Sequence, residues 1–263
     1  MFESNQDNFD WGITNTDVVL YIPNFGRKKF LEPTLKAIKT DLPLDKWMIL
    51  VVNDGVHEDL SDLEHFNLRY FTFDRGENPS ERNGCMIRNF VLKRLQSRIV
   101  ATRDPEIFMD GNDYLQKIYN LDDQVFRPGC MVELAEPETP KILSGNYGEL
   151  SGLAYRTRHK VTPENHRAFH AGFAVRTQTL VDMGGYDEGF KDYYGYEDVD
   201  LLIRLQRSNA SIIVDNSITA YHIWHMRKNK FLKTVRKSGT IFEQRQRQAK
   251  IIANEGIEWG QGL

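Results

Sequence analysis

The stretch from Tyr193 to Leu205 concentrates side chains that can do chemistry. Glu197, Asp198 and Asp200, with Arg204 behind them, follow a glycine flanked by Tyr194 and Tyr196. Carboxylates can accept a proton or bind a hydroxyl. A helix starting near Glu197 puts Asp198, Leu201, Leu202 and Leu205 on one face, at i, i+3, i+4 and i+7. Asp198 then caps a buried apolar stripe, and Asp200 and Arg204 form an i, i+4 pair beside it. The helix dipole also favours acids in a first turn, so these residues alone equally suit a well-started surface helix.

A second polar set lies at the ends of apolar runs. Asp17 to Pro23 reads as a buried strand followed by Asn24 and Arg27. Met48 to Val52 ends in Asn53-Asp54-Gly55, and Arg98 to Thr102 runs into Arg103-Asp104-Pro105-Glu106. Between them, Leu68 to Phe73 reads as a third strand, with helices over Phe30–Lys39 and Met86–Gln96. Strands alternating with helices predict an α/β layer sandwich with a mostly parallel sheet, whose ligands sit at the carboxyl ends of its strands. Asn24, Arg27, Asp54, Asp104 and Glu106 all fall there. No G-x-G-x-x-G follows the first strand and no G-x-x-x-x-G-K-[ST] occurs, which argues against a dinucleotide enzyme and a P-loop NTPase.

The second half is less regular. A short helix is expected over 112–120, a strand over Cys130–Leu134, and a long polar functional loop or lid over 135–168. Strands over 170–175, 211–214 and 218–225 and a helix from Thr177 to Met183, stopped by Gly184-Gly185, complete the body. From Arg227 the chain reads as helical, fraying from Glu255 to Leu263. This tail carries nine Lys/Arg against three Glu, or +6, whereas residues 1–226 carry 25 against 34, or −9. A basic end on an acidic body suits contact with phosphates on a membrane surface or nucleic acid, and equally a solvated helix face.

A chain of 263 residues, 40% hydrophobic and 27% charged, is ordinary for a soluble globular protein with ample core. Two cysteines, Cys85 and Cys130, cannot build a disulfide framework. The polar start MFESNQDNFDWG lacks the apolar core of a secretory leader, and no run approaches the roughly 18 apolar residues of a membrane span. The expected location is the cytoplasm, with the tail able to touch a membrane surface.

Seven motifs, in order, resemble the metal-dependent, inverting glycosyltransferases of the GT-A fold, family 2 type. They are Tyr21-Ile22-Pro23-Asn24 with Arg27, Val51 to Gly55, Arg88-Asn89, Arg103 to Glu106, Gly184 to Phe190, Glu197 to Asp200, and Tyr221 to His225. Gly172 to Arg204 is also similar to the C-terminal region of galactosyltransferases. The resemblance implies residues 1–226 as a GT-A domain, with 17–110 binding a nucleoside diphosphate sugar and 111–226 binding the acceptor and supplying the base. Residues 227–263 are then a basic extension.

The resemblance also implies roles. Asp198 would be the general base and Glu197, Tyr194 and Trp224 acceptor contacts. Pro23, Asn24, Arg27, Asp54, Arg88, Asn89 and Asp104 would hold the donor, with Asp54 on the nucleoside, usually uridine. Asp104 and Glu106 stand where the family has Asp-x-Asp and would hold a divalent cation, Glu106 more directly. One of His222 and His225 would add an imidazole, which favours Mn²⁺ over Mg²⁺. Period-two alternation sets the two histidines on opposite faces of a regular strand and favours His222. The acceptor would be a glycan or glycoconjugate. Two other classes remain: an inactive nucleotide- or glycan-binding relative, for which Asp-Pro-Glu leaves room, and a sugar nucleotidyltransferase, for which the turn after the first strand is poor in glycine.

Overall fold

The computed structural model describes residues 8–74, 84–110, 113–165, 171–193, 195–226 and 234–261. β1 (Val18–Asn24), β2 (Trp47–Asp54), β3 (Leu68–Phe73) and β4 (Ile99–Arg103) lie parallel in the order β3-β2-β1-β4. Their apolar runs need cover on both faces and receive it. Val19 and Tyr21 of β1 enter one core with α2 (Gly84–Leu92), and Val18, Leu20 and Ile22 enter the other with α1 (Lys28–Lys36). Each fully buried aliphatic side chain of this kind contributes about 1.5–3 kcal/mol. This is the α/β architecture that the strand-helix alternation predicts, with helix ends shifted by a few residues.

The rest of the sheet is mixed. β8 (Ala171–Arg176) runs antiparallel to β4, and β6 (Val125–Leu134) joins it through Phe126. β9 (Ile212–His222) lies parallel to β6, and β5 (Ile107–Asp110) closes the path antiparallel to β9. β9 is one strand where two were expected. At its polar centre, Asp215-Asn216-Ser217, the register with β6 shifts between Pro128 and Cys130, and Gly129 lets the backbones close there: a Cβ on it would stand 2.5 Å from the Asn216 Cα. Lys117 of α3 (Tyr114–Tyr119) then holds Asp215 at 2.7 Å.

The long loop expected over 135–168 contains ordered elements instead. α4 (Glu138–Leu143) and β7 (Tyr155–Lys160) lie in it, and β7 pairs antiparallel with Cys130–Leu134 of β6. β7 is exposed along almost its whole length, so no alternating apolar face announces it.

α5 (Thr177–Asp182), α6 (Glu197–Arg207) and α7 (Val235–Gln248) pack beside α2. The C-terminal segment does not fray after α7. Ala253 donates its N–H to Met183 O at 2.9 Å, and Asn254 Nδ2 binds the carbonyls of Gly184 and Tyr186, both at 2.7 Å. Gly184 has φ +73°, and a Cβ on it would meet Ala253 O at 2.0 Å. Trp259 is buried in the core that α2 and α6 share, with Lys93 Nζ 4.2 Å from its ring centroid. No helix among the described residues is long and apolar enough to cross a membrane.

Candidate active site

The turn from β4 to β5 places a carboxylate where three cationic or imidazole groups can reach it. Asp104 O accepts from Ile107 N (3.1 Å), Pro105 O from Thr34 Oγ1 (2.9 Å), and Glu106 O from Ile223 N (3.0 Å). The last bond ties the Glu106 backbone to the end of β9, where Ile107 already faces His222. As a result His225 Nε2 lies 3.0 Å and His222 Nε2 3.5 Å from Glu106 Oε1. β9 ends at His222, so strand alternation does not govern His225. The two rings converge with centroids 5.2 Å apart, which corrects the expectation that they lie apart. Arg27 Nη1 contacts the same oxygen, Oε1.

Burial alone would raise the Glu106 carboxyl, but hydrogen bonds from His222 and His225 and the Arg27 charge outweigh it and hold it well below its usual range. Glu106 Oε2 is buried with no hydrogen-bond partner. The ligand atoms of Glu106, His222 and His225 all lie within 4.8 Å of one another. One carboxylate and two imidazoles, with an unsatisfied carboxylate oxygen, are a donor set that fits a divalent first-row cation. Asp104, expected as a further ligand, is not part of this cluster. It is half-buried, and its charge acts on Arg88.

The second acid centre begins α6, which starts at Glu197 as the spacing predicts. Leu201, Leu202 and Leu205 are fully buried beneath it. Arg204 Nε binds Asp200 Oδ2 at 2.8 Å, and its Nη atoms bind the carbonyls of Met183 and Gly185, so this pair braces the helix against the Gly184-Gly185 turn. Burial and then the Glu197 charge raise the Asp198 carboxyl from 3.8 to about 7, against a hydrogen bond from Val199 N (2.8 Å to Oδ1) and the Arg88 charge. A carboxylate that ionises near neutrality is matched to general-base work. Glu197 Oε2 is buried without a hydrogen-bond partner, so it can accept from a hydroxyl.

Arg88, expected on a base or phosphate, is instead buried beneath this pair. Its Nη1 stands 3.5 Å from Glu197 Oε1, and its guanidinium carbon lies 5.3 Å from the Tyr186 ring centroid. Burial alone would lower it; Tyr186, Glu197, Asp104 and Tyr21 outweigh that and keep it cationic. Asp104, in the turn that carries Glu106, and Glu197 therefore act on one guanidinium. Asn89 is also corrected. It is fully buried, its Oδ1 accepts from Tyr186 N (2.8 Å), and its Nδ2 donates to Tyr186 O (2.8 Å) and Glu188 Oε1 (2.9 Å), so it pins the turn before α6.

At the ends of β1 and β2, Pro23 is buried within its strand and Asp54 is buried at the last position of β2. Asn24 Nδ2 binds Asn53 Oδ1 (2.8 Å) and Glu58 Oε2 (2.7 Å), and its Oδ1 accepts from Arg27 N (3.2 Å). Asn24 thus shapes the turn that carries Arg27. Glu58, which also accepts from Lys28 N, escapes sequence reasoning because no motif or spacing marks it. Trp224 is half-buried beside His225, its carbonyl bound by Thr139 Oγ1. Tyr194 lies outside the described residues. Its neighbour Tyr196 sits at φ +73° immediately before α6, stacked on Phe242 of α7 at 5.1 Å, while Ser238 donates to Gly195 O. The basic tail therefore buttresses the start of the acid-bearing helix.

The chain matches no protein-family model and no curated protein. It does resemble solved structures. A mannosyltransferase from Pyrobaculum calidifontis in complex with GDP-Man and Mn²⁺ superposes at TM-score 0.53 and 13% identity, over 92% of this chain and 68% of that one. GalNAc-T7 with UDP, GalNAc and Mn²⁺ gives 0.58 and 12%, over 89% of this chain and 49% of that one. TarS 1-349 of S. aureus with UDP-GlcNAc gives 0.58 and 16%, over 89% and 65%. The chain has the GT-A glycosyltransferase fold, and it spans about half to two thirds of the length of these structures.

Proposed function

We propose that this GT-A-fold chain is a metal-dependent, inverting glycosyltransferase. It moves a sugar from a nucleoside diphosphate sugar, UDP-linked, to a hydroxyl of a glycan or glycoconjugate. The observation that carries the reading is the presence of two centres: a carboxylate–imidazole cluster, Glu106 with His222 and His225, after β4, and a carboxyl raised toward neutrality, Asp198, at the start of α6. Nucleotide-sugar and Mn²⁺ complexes among the structures of like fold agree with it.

Glu106, His222 and His225 would hold the cation, and the imidazoles favour Mn²⁺ over Mg²⁺. Bound there, the cation supplies Lewis-acid stabilisation of the departing diphosphate. Asp54, at the strand end, takes the nucleoside. Glu197 Oε2 accepts from one acceptor hydroxyl and orients it, while Trp224 offers a flat face to a sugar. Asp198 takes the proton of the attacking hydroxyl. That oxygen forms its bond to the anomeric carbon as the carbon–diphosphate bond breaks on the opposite face, and the configuration inverts. The tail that stacks on Tyr196 would hold this geometry, and its basic face suits a membrane surface inside the cytoplasm.

The test is a panel of nucleoside diphosphate sugars with and without Mn²⁺, read by nucleoside diphosphate release and by thermal shift. Mn²⁺-dependent release with one donor is expected, with product of inverted configuration. Mn²⁺-dependent nucleotide binding with no turnover of any donor would leave a binding protein and sink the enzymatic reading.

A further inference from the structure

Resting on that reading, one contact in the donor half goes further. Glu106 Oε1 faces three groups at once: the Nε2 atoms of His222 and His225, and Nη1 of Arg27. The Arg27 head is not built in the way the rest of the cluster is. The Glu106 side chain is 2% exposed, whereas that of Arg27 is 26% exposed. The Arg27 backbone is fixed, with its N–H on Asn24 Oδ1 and its carbonyl accepting from Phe30 N (2.9 Å) and Leu31 N (3.2 Å). A rigid root with a long side chain reaching in from the solvent side can exchange partners without disturbing the fold.

We infer that Arg27 is an exchangeable counter-ion of the cation site, which couples cation binding to diphosphate binding. A guanidinium and a divalent cation at the Glu106 carboxylate would share its one negative charge and repel each other across a low-dielectric pocket. The cation alone therefore binds against Arg27. A diphosphate offers Arg27 new anionic oxygens on which a guanidinium forks well, so it leaves Glu106 to the cation. Cation and diphosphate then tighten each other by the same factor, as linkage requires. Glu106 is never left without a positive partner, which a buried carboxylate needs.

The experiment measures free Mn²⁺ by electron paramagnetic resonance in titrations of the full chain, with and without UDP. Wild type should bind Mn²⁺ about tenfold or more tightly with UDP present. Arg27→Gln should bind Mn²⁺ alone about tenfold more tightly than wild type and lose most of the UDP enhancement. Arg27→Met should behave as Arg27→Gln, and Arg27→Lys, which keeps the charge, should stay close to wild type. Circular dichroism shows that each variant is folded. Mn²⁺ binding that Glu106→Gln abolishes but Arg27→Gln leaves unchanged or weakens overturns the counter-ion role alone. Absence of Mn²⁺ binding in wild type, with or without UDP, overturns this role and the metal-dependent reading together.

Discussion

Arg88 Nη1 lies 3.5 Å from Glu197 Oε1, so a guanidinium from α2 sits beneath the acid pair that opens α6. The Arg88 side chain is 3% exposed, and its charge is held by Glu197, Asp104 and the Tyr186 ring. Arg88→Gln should therefore leave Glu197 and Asp198 facing each other without a buried cation. Removing one partner of a buried pair costs about 3–5 kcal/mol, which urea denaturation would show as a lower midpoint with an unchanged slope. Because the Arg88 charge lowers the Asp198 carboxyl, its loss should also move the acid limb of the pH–rate profile upward. An unmoved limb would mean that Arg88 braces the fold and does not tune the base.

Asp198→Asn should abolish transfer, by about 10²–10⁴-fold, and leave Mn²⁺-dependent nucleotide binding intact. Loss of nucleotide binding instead would place Asp198 on the donor and remove it as the base. In wild type, activity should rise as a single proton leaves with a midpoint near 7, the value to which burial and Glu197 push this carboxyl.

The same shift has a stability consequence. The Asp198 carboxyl moves from 3.8 to about 7 on folding, so between those values the folded chain holds a proton that the unfolded chain has released. Its contribution is fully present below about 4 and is lost as pH rises through about 7. Asp198→Asn carries no such loss. The variant should therefore be more stable than wild type above pH 7, with the difference shrinking on acidification toward 4. Thermal midpoints of both proteins across that range check it.

Trp259→Ala should destabilise the chain by about 3–5 kcal/mol, although it lies four positions before Leu263. Trp259 is buried with Phe90, Leu201 and Leu202, and the neighbouring Gly260 N donates to Glu188 Oε1 at 2.9 Å. A loss below about 0.5 kcal/mol, the size expected of a surface change, would mean that the segment does not dock in solution.

These sites mark how far the sequence could be read. β1 and β2 are legible because a strand buried on both faces must be a largely continuous apolar run, and α6 is legible because its leucines repeat at helical spacing above a row of acids. β7 is illegible for the complementary reason: Tyr155–Lys160 pairs with β6 while most of its side chains are left in solvent. The docking of the tail is also hidden, since a lone tryptophan among glycines and glutamates has no period. Motif position singles out Glu106, Asp198, Asn89 and Arg88 alike, because an amide or guanidinium spent on the backbone or on a buried acid reads the same in sequence as one facing a ligand.

The histidines show that difference most directly. Alternation along a strand favours one imidazole, but β9 ends at His222, and the chain beyond it turns His225 back to within 3.0 Å of Glu106 Oε1. If both rings are ligands, His222→Ala and His225→Ala should each weaken Mn²⁺ binding by about tenfold or more, and the thermal stabilisation that Mn²⁺ confers should shrink by the corresponding amount, about 1.4 kcal/mol per tenfold with metal well above the Kd of wild type and variant. His222→Ala with full Mn²⁺ affinity would make it a hydrogen-bond partner of Glu106 only. The double variant decides between shared and separate roles. Two ligands of one ion should give losses that are not additive, because the first removal already lets the ion shift within the site, whereas two independent contacts to Glu106 should simply sum.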